Sequence, residues 1–92
     1  MHRKSPYSVQ QESIEFQSVS LVDGVIQSFP PLNVNTHIIP SFHESYKIEI
    51  QSDYTVHITT GHTRGVEYAL DSLYSNIQAN ELFCGTIQDG PQ

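Results

Sequence analysis

Basic side chains are scarce in this 92-residue sequence: four Lys and Arg stand against ten Asp and Glu, for a formal charge of -6 at pH 7. Arg3 and Lys4 sit beside His2 at the very start, and beyond them only Lys47 and Arg64 are basic. Nucleic acid and anionic membranes are held by stripes of cations that neutralise phosphates. No such stripe exists, which argues against both partners. Cysteine is almost missing as well. The single Cys84 cannot close an intramolecular disulfide, and the same count excludes a zinc centre built on paired thiolates. No stretch approaches the roughly 18 apolar residues of a membrane-spanning helix, and the N-terminus has no apolar run of the signal-peptide type. Met1 stands shortly before Ser5-Pro6 and reads as an engineered start, so the lack of a signal says little about compartment. Met1 to Pro6 are expected to add no ordered element. Asn-x-Ser/Thr sequons are also absent.

Hydrophobic residues make up 37% of the chain, against roughly 45–50 per cent in a typical soluble domain. A single domain of this size buries roughly 60–65 per cent of its unfolded surface, enough for one modest core. The low apolar fraction fits a module that normally leans on a neighbour.

The patterning gives a coarse α+β reading. Ile14 and Phe16 alternate as in a strand, and Val19 and Leu21 continue in the opposite phase, so a strand over 13–22 breaks near Gln17-Ser18. Asp23-Gly24 is a turn signal, and Phe29-Pro30-Pro31 suits neither a helix nor a central strand, so the middle section reads as a loop. Leu32, Val34, Ile38 and Ile39, bounded by prolines, predict a short edge strand. Tyr46, Ile48 and Ile50, then Tyr54, Val56 and Ile58, alternate with polar residues on either side of Ser52-Asp53, predicting an antiparallel hairpin with one apolar face. After Gly61 the period lengthens. Val66, Leu70, Leu73 and Ile77 mark an amphipathic helix over about 62–79, with Thr63 as its expected cap and Leu70 and Leu73 as its buried anchors. A last strand near Leu82–Ile87 runs into Gln88-Asp89-Gly90-Pro91, read as a terminal turn. The architecture that follows is an antiparallel or mixed sheet with one main helix on one face.

Three stretches, in order and at matching spacing across residues 44–91, resemble the N-terminal domain of the family 20 glycoside hydrolases, the β-N-acetylhexosaminidases. Glu44-Ser45-Tyr46-Lys47-Ile48-Glu49-Ile50 is similar to the family's Glu-Ser-Tyr followed by a strand. Gly61-His62-Thr63-Arg64-Gly65-Val66-Glu67 is similar to the Gly-x-x-Arg-Gly-Leu-Glu that opens its helix. Thr86-Ile87-Gln88-Asp89-Gly90-Pro91 is similar to the Thr-Ile-x-Asp-x-Pro that leads into its barrel. Residues 1–43 add little to the likeness. The chain departs from the pattern at Thr60, where the family usually has tryptophan, and at Asp71-Ser72, where it has Gln-Leu. The resemblance implies a zincin-like, non-catalytic domain that supports the catalytic barrel of an enzyme removing terminal N-acetylhexosamine from glycans. It also implies a lysosomal or secreted parent enzyme, homodimeric, that meets glycan only through the barrel. The family's sugar-gripping arginine and its catalytic Asp-Glu pair lie beyond the matched region, and no adjacent carboxylates occur in this chain.

The chain's own chemistry points the same way, to no catalytic residue, no cofactor and no metal ligand. Glu67 and Asp71 are one helical turn apart, about 5–6 Å between neighbouring side chains, a spacing that a carboxylate-pair glycosidase could use. They lie, however, on the polar helix face beside Arg64 and read as solvated. His2, His37, His43, His57 and His62 never form His-Glu-x-x-His, so they read as ordinary strand and loop histidines. Cys84 has no histidine near it in sequence to act as base and reads as a half-buried strand residue. Ser45 and Ser72 lack a Gly-x-Ser-x-Gly context. Tyr46, Tyr54, Tyr68 and Tyr74 are candidates for a sugar-stacking platform, although Tyr46 and Tyr54 fit better at the start of apolar strand faces. The competing functional class is an independent interaction domain with no enzymatic role.

Overall fold

The structure, a computed structural model, describes residues 12–91. The lead-in Met1 to Pro6 therefore lies outside the described residues. Strands β1 (Ser13–Glu15), β2 (Ser18–Val22), β3 (Val25–Phe29), β4 (Asn33–Ile38), β5 (Glu44–Ile50) and β6 (Thr55–Thr60) precede helix α1 (Thr63–Ser75), and β7 (Glu81–Phe83) and β8 (Gly85–Pro91) follow it. The class is α+β, as the sequence predicts. A four-stranded mixed sheet of order β4-β6-β5-β8 carries α1 against β5 and β6, and β2-β3 and β1-β7 form two small antiparallel pairs.

The β5–β6 hairpin builds the core. Its alternation sends Ile48, Ile50, Val56 and Ile58 to one face, where all are buried, and the register sets Ile48 against Ile58 and Ile50 against Val56. Cross-strand contacts between β-branched residues are the basic stabilising unit of a sheet. In the turn, the Asp53 carboxylate accepts the Thr55 N–H at 3.1 Å. Tyr54 adopts a φ of 68°. Its ring meets Phe16 edge-on at 5.7 Å, and its hydroxyl donates to the Glu15 carbonyl at 2.6 Å. Strand β4 lies at the sheet edge, as the flanking prolines predict, and runs parallel to β6 with Val34 opposite Val56.

The helix differs from its prediction in three ways. Its cap is His62 rather than Thr63: the His62 Nδ1 accepts the Arg64 N–H at 3.2 Å. Its end is Ser75, with Asn76 as C-cap, because Ala79 and Asn80 both take positive φ, 53° and 59°, and turn the chain between Gln78 and Glu81 into β7. The line of closest approach is Gly65, Ala69 and Leu73, all buried, while Val66 and Leu70 are only half-buried at its flank. Small residues at Gly65 and Ala69 let the helix axis come close to the sheet, which makes them central and moves Leu70 aside. Glu67 and Asp71 are exposed.

Three further corrections concern the segments before β4 and after α1. The section after Asp23-Gly24, read as a loop, contains strand β3, which pairs back on β2 as a hairpin with Leu21 opposite Ile26 and Val22 opposite Val25. Asp23 and Gly24 have φ of 53° and 77°, the pair of positive values that matches a two-residue hairpin turn to strand twist. The strand read over Leu82–Ile87 is really two. Leu82 belongs to β7, paired with β1, whereas Ile87 belongs to β8, opposite Ile48 of β5. Gly85, at a φ of 137°, redirects the chain between them, a conformation that side chains disfavour. The segment Gln88 to Pro91, read as a turn, continues β8 along the sheet edge, where a proline is tolerated.

Candidate functional site

Besides the Ser13 hydroxyl of β1, which donates to the Glu81 carboxylate of β7 at 2.7 Å, polar side chains of different elements meet at two places on this scaffold. The first is the start of α1. Gly61 and Gly65 allow very close approaches here: a Cβ on Gly61 would lie 2.6 Å from the Phe42 carbonyl oxygen, and one on Gly65 would lie 2.8 Å from the Thr60 Cβ and 2.9 Å from the Ser45 carbonyl oxygen. Thr60 is fully buried, and its hydroxyl donates to the His62 carbonyl at 2.7 Å, fixing the step from β6 into the helix. An open groove of about 450 Å³ results, bordered by Phe42, Ser45, His62, Arg64 and Tyr68. Arg64 is exposed, and so is the Tyr68 ring. The groove thus gathers a hydroxyl, an imidazole, a guanidinium and two aromatic rings along one border.

The second place is the sheet face opposite the helix. Alternation directs Asn35 and His37 of β4, His57 and Thr59 of β6, and Lys47 and Glu49 of β5 to this side. His37 Nε2 and His57 Nδ1 lie 3.1 Å apart, with ring centroids at 5.3 Å and planes inclined by 24°. In the neutral pair one ring nitrogen donates its proton and the other accepts it. The remaining histidines are scattered: His43 is exposed in the β4–β5 connection, His62 caps the helix, and His2 lies outside the described residues. Among the described residues, no group of three or more His, Cys, Asp or Glu converges as metal ligands.

Sequence reading did not anticipate the His37–His57 contact. It depends on β4 pairing with β6 rather than with its chain neighbour β5, and residues twenty positions apart show no spacing signal of that. Glu67 and Asp71 are exposed on α1. Tyr46 and Tyr54 pack against the core and Tyr74 is half-buried, which leaves Tyr68 as the exposed ring of the four. Ser72 is half-buried on α1, and its carbonyl accepts the Asn76 side-chain amide at 2.8 Å.

Cys84 is half-buried between β7 and β8, with its backbone N–H donating to the Glu12 carbonyl at 2.9 Å. Burial pushes the thiol above its ordinary range, and the negative charge of Glu12 adds to the effect. A raised thiol holds less reactive thiolate at any given pH. Alkylation of Cys84 by iodoacetamide at neutral pH is therefore expected to be slower than that of a cysteine in an unstructured peptide. An equal or faster rate would contradict the assigned environment.

Comparison with known proteins gives no identity: no protein-family model, no curated protein and no solved structure matches the chain.

Proposed function

We propose that this chain is the non-catalytic N-terminal domain of a β-N-acetylhexosaminidase. In this role it packs beside the catalytic barrel of an enzyme that releases terminal N-acetylhexosamine from glycans, and it supports that barrel without touching substrate. The observation that carries the reading is the mutual contact of the three stretches that resemble the family. Tyr46 and Ile48 of the first face Asp89 and Ile87 of the third across the β5–β8 ladder. The Ser45 carbonyl of the first stretch lies where only a glycine fits in the second, at Gly65. Segments far apart in sequence thus answer one shared structural demand, which gives the likeness more weight than three independent short matches would have.

Surface chemistry adds support. Val22, Val25 and Phe29 lie on one face of the β2–β3 hairpin and are all exposed. Two strands alone bury little, and apolar side chains grouped on an open face are typical of surfaces that meet another domain. The coding region beyond Gln92 tests the proposal. It should continue into a βα-repeat barrel that contains an adjacent Asp-Glu pair, the orienting residue and general acid of the family's substrate-assisted mechanism. A stop codon at that point, or a following domain of another kind, would leave the independent interaction domain as the better reading.

A further inference from the structure

We infer that His37 and His57 form a cis pair of nitrogen ligands for a divalent transition-metal ion, Cu2+ foremost, on the open face of the four-stranded sheet. The inference does not depend on the hexosaminidase reading. It starts from a distance. Metal–imidazole bonds are about 2.0–2.1 Å, so two nitrogens at 90–110° around one ion are separated by about 2.9–3.4 Å. His37 Nε2 and His57 Nδ1 already stand at 3.1 Å, within that bite.

The backbone keeps the two residues side by side on one face. His57 sits on β6, an interior strand paired on both sides, and His37 on β4 in the parallel ladder that places Asn35 opposite His57 and His37 opposite Thr59. Neither Cα needs to move. Terminal ring torsions are soft, so turning the rings about χ2 can redirect the two nitrogens from a shared proton to a common ion. If His37 Nε2–H is the donor in the free pair, its proton passes through solvent to Nδ1; if His57 donates, its proton moves from Nδ1 to Nε2. Both rings remain neutral, each offers one lone pair, and no electron changes hands.

The surroundings favour a cation held this way. Glu49 lies opposite His57 on the same face and supplies negative charge, Lys47 opposite Thr59 partly offsets it, and the whole chain is acidic. With no third His, Cys, Asp or Glu converging among the described residues, water is the ligand that completes the coordination in this proposal. An open two-imidazole site with a cis angle near 90° suits Cu2+, which heads the affinity order of the divalent first-row ions. A structural zinc ion instead needs about four protein ligands in a tetrahedron.

Isotope-labelled chain carrying His2→Gln, which removes the imidazole next to the terminal amine, should be titrated with Cu2+ and followed by NMR. Paramagnetic broadening should appear first at the His37 and His57 rings and at the amides of Asn35, His37, His57 and Thr59. In calorimetric titrations, His37→Gln and His57→Gln should each weaken binding by about tenfold or more, since even outer-shell partners of metal ligands carry effects of that size. Both side chains lie on the open polar face, so the far-UV spectrum of each variant should be unchanged. Broadening that starts at His43 or His62, or spreads without a centre, would overturn the inference, and so would wild-type affinity in His37→Gln. Should a variant fail to fold, the broadening map of the parent chain decides alone.

Discussion

Gly65→Ala is expected to lower the urea midpoint of this chain by about 1–2 M, the shift that a loss of roughly 2 kcal/mol gives a small domain. The added methyl would stand 2.8 Å from the Thr60 Cβ and 2.9 Å from the Ser45 carbonyl oxygen. Neither atom can swing aside, because one is fixed to its backbone and the other belongs to it. The first turn of α1 must therefore lift from the sheet, drawing Ala69 and Leu73 from their buried positions. Overpacking of this kind costs about 1–3 kcal/mol, well above what alanine returns in helix propensity near a helix start. Gly24→Ala separates this effect from the loss of a glycine as such. Gly24 has a φ of 77° with nothing near its absent Cβ, so only the backbone penalty of about 1–2 kcal/mol applies. A Gly65→Ala midpoint at or above that of the unaltered chain would show that the helix does not sit as close to β6 as described.

Leu73→Ala should do more damage still. Leu73 is fully buried in the cluster with Ile48, Ile58 and Ala69. Removing such a side chain costs about 2–5 kcal/mol, while a domain of this length has in total only about 5–14 kcal/mol, at 0.05–0.15 per residue. The variant is expected to be largely unfolded in mild urea. Asp71→Ala, on the exposed side of the same helix, should change stability by no more than about 0.5 kcal/mol. Equal midpoints for the two variants, or the reverse order, would invalidate the assignment of helix faces and with it the statement that Glu67 and Asp71 are solvated.

The parts legible in the sequence are those set by local pattern. Alternation marked β5 and β6, the prolines marked β4 as an edge, and the phase break at Gln17-Ser18 separated β1 from β2. The misreadings arose where a local signal competed with a distant contact. Phe29-Pro30-Pro31 outweighed the Asp23-Gly24 turn, although that dipeptide between Leu21-Val22 and Val25-Ile26 was a hairpin signal in its own right. Periodicity carried the helix on to 79 because Ile77 packs on the core, even though Asn76 had already ended it. Gly85 bends the chain so that Leu82 and Ile87 serve different sheets, a division that a run of alternating residues does not reveal. For the site, the glycines at 61 and 65 were legible as motif residues but not as contacts, and the His37–His57 pair was not legible at all. It follows from the parallel neighbour relation of β4 and β6, which no local spacing encodes.

The measurement that bears most directly on the proposed role is turnover of a chromogenic β-N-acetylglucosaminide by the 92-residue chain and by the protein encoded by its complete gene, side by side. Sugar release is expected from the complete protein and none from the chain, which has no adjacent carboxylate pair. Release that purifies with the isolated chain, or a folded complete protein that releases no sugar, would contradict it.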